Sequence, residues 1–225
     1  MSGREKRLSV PAILLSLTGF VVLWAVVTDA WGYSSRLDAA YGKYIYACAS
    51  RLVWVAPAVW IIFRHDACLR FPRKELFSRP VPDRTLTVVL AASLAYTAAM
   101  MLAVHGRLWV NCSVSPLPEI LVTVLVGVVE ETVFRGWGYN ALLKAVTDRK
   151  AVVYSTAFFV LLHWPAYFIR LFRSGTMDWT AWLMQSLAAA VWGVICCRLL
   201  KKGKTLWNPI IAHAVYDILY VFLVG

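Results

Sequence analysis

Glu130, Glu131, Arg135, His163, His213 and Asp217 are polar residues set in apolar surroundings, and together they could do chemistry. A carboxylate can act as general base on a water molecule, and a neighbouring imidazole can hold that water and shuttle a proton. A further hydrogen-bond donor would stabilise the oxyanion of a tetrahedral intermediate. The set therefore suggests activation of water. No serine pairs obviously with a histidine, so a covalent serine mechanism is not suggested. Glu, His, His and Asp could equally bind a metal, although H-E-x-x-H is absent and neither His has another ligand at close spacing.

The spacing assigns these residues different parts. The run 118–143 is apolar except for Glu119 and the stretch Glu130-Glu131-Thr132-Val133-Phe134-Arg135, with Asn140 near its end. A charged side chain at the centre of a membrane helix costs roughly 2.5–3.5 kcal/mol on insertion scales, and such residues face a bundle interior or a wet cavity. Glu131 and Arg135 are four apart in the favourable acid-first order, which predicts a structural ion pair. Glu130 points about 100° away from Glu131 on a helix and has no local partner, so it is the carboxylate left for chemistry. His213 and Asp217, also four apart, share a helical face. At a rise of about 1.5 Å per residue, Glu130, His163 and His213 lie ~10 to ~20 Å from the ends of their helices on one side of the membrane, although the helices run in different directions. Convergence at one depth is what a single buried site demands.

The elements that must position them are membrane helices. The chain of 225 residues is 60% hydrophobic, and several runs exceed the 18 or so residues that mark a spanning helix. The fold class is all-α: one integral membrane domain over 1–225, a polytopic transmembrane helical bundle. Seven spans are predicted, at about 8–31, 44–63, 85–104, 118–143, 150–172, 179–200 and 206–224, with room for an eighth, broken or re-entrant segment.

The net charge of +11 reflects orientation rather than a nucleic-acid partner. Arg4, Lys6, Arg7, the basic loop Arg64–Arg84, Lys144, Arg149, Lys150, Arg198, Lys201, Lys202 and Lys204 fall on one side of the predicted bilayer. Only Arg36, Lys43, Arg107, Arg170 and Arg173 fall on the other. That bias predicts a cytoplasmic N-terminus, with the excess charge in contact with anionic lipid. The apolar run near the N-terminus lacks an A-x-A site and reads as an uncleaved first span. Five cysteines without C-x-x-C spacing predict neither a disulfide framework nor a zinc site. Loop 64–84 is the longest polar segment. Trp31, Trp109, Trp137, Trp164, Trp179 and Trp207 sit near predicted span ends, as an interfacial belt requires. Arg51, inside the second span, is assigned no chemistry.

The pattern E-E-x-x-x-R (Glu130, Glu131, Arg135), F-x-x-x-H (Phe159, His163) and H-x-x-x-[ND] (His213, Asp217) resembles the CAAX protease and bacteriocin-processing family, also called Abi. Arg135-Gly136, Ser155 and Trp207-Asn208-Pro209 support it. The resemblance covers a core of about 118–220, while spans within 1–117 match nothing specific. It implies a glutamic-type intramembrane protease that needs no metal or other cofactor. Glu130 and His163 would activate water, His213 and Asp217 would occupy the oxyanion side, and Glu131, Arg135 and Phe159 would support the site. Where many members have Asn, this chain has Asp217. Ionised, it would accept hydrogen bonds only and orient His213; protonated, it could itself donate.

The expected function is hydrolysis of a peptide bond in a membrane-associated substrate. A prenylated C-terminus, a bacteriocin leader and a C-terminal sorting tail are the substrates the resemblance implies, a bacterial membrane-anchored precursor first. Two readings from other classes stay open: a non-catalytic scaffold, for example in bacteriocin immunity, and a metal-dependent membrane hydrolase. The expected location is a bacterial inner membrane, with the lipid bilayer and a peptide or protein substrate as partners.

Overall fold

The computed structural model describes residues 8–34 (28–34 as backbone only), 42–80 and 83–225. Expectations resting on Arg4, Lys6, Arg7, Arg36 and the Trp31 side chain lie outside the described residues. Among the described residues all regular structure is helical. Five helices are long and apolar enough to cross a membrane: α1 (Val10–Ser34), α2 (Gly42–Arg64), α4 (Arg84–His105), α7 (Asp148–Ser174) and α8 (Trp179–Gly203). Their outward faces carry Leu15, Val22, Leu52, Val53, Leu94, Leu183 and Val191 in the open, a surface that only lipid solvates well.

Local signals explain where these helices begin and end. Asp83 accepts a hydrogen bond from Leu86 N at 2.7 Å at the start of α4, and Asp178 does the same for Ala181 N at 2.9 Å on α8, each satisfying an otherwise orphan donor. Gly106 and Gly175, both at positive φ, close α4 and α7. Pro57 and Pro165 remain inside α2 and α7, which membrane bundles tolerate.

The sequence 118–143 departs from the single span expected of it. α5 (Pro116–Glu131) is followed by a π-helical segment (Thr132–Tyr139) and a short α6 (Asn140–Ala145). Every side chain from Thr132 to Tyr139 is buried. Small residues permit that: a Cβ added at Gly138 would lie 2.8 Å from Leu17 Cδ2, and one at Gly136 would lie 3.3 Å from Ile62 and Leu206. π segments widen a turn and recur at functional sites. α9 (Trp207–Leu223), at 17 residues, is apolar but shorter than the five.

Two further expectations are corrected. Loop 64–84 is not merely polar: it holds a 3₁₀ turn (Asp66–Cys68) and α3 (Arg73–Leu76) and buries Leu69, Phe71 and Leu76 in the core. Asn140 clamps it, with Phe71 N donating to Asn140 Oδ1 at 2.8 Å and Asn140 Nδ2 donating to Phe71 O at 2.9 Å. Leu206 N donates to Leu76 O at 2.8 Å, tying the same loop to the start of α9. Trp137 is not interfacial; it is buried within the π segment, and its Nε1–H donates to Ser16 Oγ at 2.9 Å. Trp179 and Trp207 are exposed, as a belt requires.

The packing order places the polar helices side by side. α5 lies against both α2 and α9, α9 also contacts α4 and α8, and α7 packs between α1 and α8. α5 and α9 approach so closely at Gly127 that an added Cβ would meet Ala214 N at 3.2 Å and Ile210 O at 3.3 Å. That contact lies one helical turn from Glu131 and beside His213.

Candidate active site

His213, nearly two turns into α9, is the hub. Its Nδ1–H donates to Glu131 Oε1 at 2.8 Å, in a fully buried contact. A carboxylate only accepts, so the pairing fixes the proton on Nδ1. On the opposite ring edge, Nε2 lies 3.9 Å from Glu130 Oε2 and 3.5 Å from Asp217 Oδ2. Glu131 is 0% exposed, while the side chains of Glu130 and Asp217 are 12% and 26% exposed. The inner carboxylate therefore holds the ring, and the outer two face the more open side.

Glu131 also meets Arg135, with Nη1 3.2 Å from Oε1 and both side chains fully buried. The expected pair forms even though Arg135 already lies within the π segment. The guanidinium lies over Phe159, 4.2 Å from the ring centroid, a cation–π contact that supplies part of what water would otherwise give.

Phe159 is the pivot between α7 and the rest. Its ring is edge-on to His163 at 5.0 Å and to His213 at 6.0 Å, and packs on Phe134 at 5.3 Å. One aromatic side chain thus separates the two imidazoles. His163 Nδ1–H donates to Phe159 O at 2.8 Å. Because a carbonyl only accepts, the neutral ring presents Nε2 as an acceptor. Ser155 Oγ–H donates to Phe134 O at 3.0 Å, joining α7 to the π segment.

The structure thus gathers Glu130, Glu131, Arg135, Phe159, His213 and Asp217 by direct contacts, and brings His163 in through Phe159. It alters one detail of the expected arrangement: His213 donates its close, orienting hydrogen bond to Glu131, and Asp217 stands off its other nitrogen. Sequence reasoning missed Trp192 on α8. Its indole lies 5.9 Å from the His213 ring and stacks on Tyr216 at 4.8 Å, with Nε1–H buried and unpartnered. A tryptophan at mid-span, away from the interfacial positions, was the available signal.

Residues 113–219 match the family model described as type II CAAX prenyl endopeptidase Rce1-like. The family resemblance holds. The match covers just under half of the chain, and every residue of the site falls inside it. No curated protein and no solved structure matches the chain. The family is one of proteases, and this chain, with five helices long and apolar enough to cross a membrane, is similar to it over those residues.

Proposed function

We propose that this chain is a glutamic-type intramembrane endopeptidase that hydrolyses a peptide bond in a membrane-associated substrate. The observation that carries the reading is the arrangement around His213: one buried carboxylate on Nδ1, two less buried carboxylates near Nε2, and a second imidazole across Phe159.

In this reading a water molecule donates one hydrogen to Glu130 and the other to His163 Nε2, leaving a lone pair for the scissile carbonyl carbon. As the O–C bond forms, Glu130 takes the water proton. His213 Nε2–H donates to the developing oxyanion. Since Nδ1–H is committed to Glu131, His213 acts there as the doubly protonated ring, its charge compensated by the carboxylates around it. Glu130 then returns the proton to the amide nitrogen, the C–N bond breaks, and an acid and an amine leave. Glu131 and Arg135 keep His213 aligned, and Asp217 stands beside the oxyanion position as a second polar group.

The preferred substrate is a bacterial membrane-anchored precursor, with the protein in the inner membrane. In the proposed topology α5 with its π and α6 continuation, and α9, complete seven crossings with a cytoplasmic N-terminus, as the distribution of Lys and Arg favours. The test is a comparison of peptide termini in the membrane proteome of cells carrying wild type or Glu130→Gln. New termini that depend on Glu130, at equal protein level, support peptidase action. Identical termini in the two strains exclude it and leave the polar cluster a scaffold.

A further inference from the structure

A cavity of about 310 Å³ lies between α1, α2 and the start of α5, lined by Trp24, Tyr44, Ala47, Arg51 and Glu119 among others. Arg51 is its notable feature. The guanidinium lies over Trp24, 5.6 Å from the ring centroid, and Nη1–H donates to Ala47 O at 3.0 Å. These contacts orient the cation without neutralising it. Among the described residues no carboxylate lies within ion-pair distance of Arg51. Glu119 on the cavity wall belongs to α5, which carries Glu130 about three turns further on, so the cavity lies along the helix that leads to the site around His213.

An uncompensated guanidinium in a membrane helix is expensive, and intramembrane cations of this kind mark ligand pathways. The planar guanidinium fork matches a carboxylate in a bidentate pair. A walled, partly aromatic space beside it accepts an apolar neighbour of that carboxylate. Glu119 on the same wall repels an anion that strays from Arg51.

We propose that this cavity is a carboxylate-binding subsite, in which Arg51 holds the free C-terminal carboxylate of the peptide substrate beside the reacting centre. The proposal rests on the peptidase reading for its guest, a peptide, and for the reacting centre beside it. Arg51 would thereby select peptides that end close to the bond to be cut. The same fork could hold a lipid phosphate, so the test separates the two.

The protein, in nanodiscs of dioleoylphosphatidylcholine, is irradiated with an apolar peptide that carries benzoylphenylalanine near its C-terminus, as the free acid or as the amide. Labelled positions are mapped by mass spectrometry. A charge-assisted bidentate contact predicts about tenfold more labelling of α1, α2 and α5 around the cavity by the acid. Arg51→Gln should abolish the preference and Arg51→Lys should keep part of it. Glu130→Gln, which tests the peptidase reading, should leave it intact, because the assay scores binding without cleavage. Equal labelling of wild type by acid and amide overturns the proposal and needs no variant. A preference that survives Arg51→Gln also overturns it. Loss of the preference in nanodiscs of dioleoylphosphatidylglycerol assigns Arg51 to lipid phosphate and overturns it too.

Discussion

The two neighbouring glutamates differ in what surrounds them, and that difference separates their roles. Glu131 is buried between Arg135 and His213, so removing one partner leaves a charge stranded in the core. Breaking a buried pair in this way costs about 3–5 kcal/mol. Arg135→Met should therefore lower the thermal unfolding midpoint and the yield of folded protein, measured by fluorescence-detected size exclusion. Glu130, partly open and 3.9 Å from His213 Nε2, should behave in the opposite manner, with Glu130→Gln folding normally. His163→Ala should reduce cleavage with little loss of fold, because the ring is held by one bond to its own helix. The Glu131–Arg135 pair was legible because spacing of four places side chains together on almost any helical turn. The Glu131–His213 bond was not, since no sequence pattern states how near two helices approach.

That approach is decided by elements. Gly127 lets α5 touch the backbone of α9 at Ala214 and Ile210, which brings Glu131 within 2.8 Å of His213. Gly127→Val should force the helices apart, at a cost of about 1–3 kcal/mol for overpacking, and should lower activity more than the stability loss explains. A thermal midpoint and a turnover rate on the same preparation check this. Ser155→Ala removes the donor to Phe134 O and should cost about 1 kcal/mol, read as a lower midpoint. Helices α1, α2, α4, α7 and α8 were visible in the sequence because each is one long apolar run. The π segment was not, because its cause is tertiary: Gly136 and Gly138 fit against Ile62, Leu206 and Leu17, residues distant in the chain. The same holds for loop 64–84, whose Phe71 looks incidental until Asn140 closes on it.

For the whole molecule, the proposed orientation has a natural reporter. Of the five free cysteines Cys112 alone is exposed, in the segment between α4 and α5. With a cytoplasmic N-terminus that segment faces outward, so a membrane-impermeant maleimide should label Cys112 in intact cells and Cys112→Ser should lose the label. Labelling only after permeabilisation would invert the topology. The central claim concerns Glu130, and the most direct measurement is single-turnover cleavage in proteoliposomes of a substrate found from Glu130-dependent termini. Loss of a general base should slow Glu130→Gln by at least about a hundredfold, with the unfolding midpoint of wild type. A Glu130→Gln protein that folds normally and cleaves at the wild-type rate would contradict the assignment.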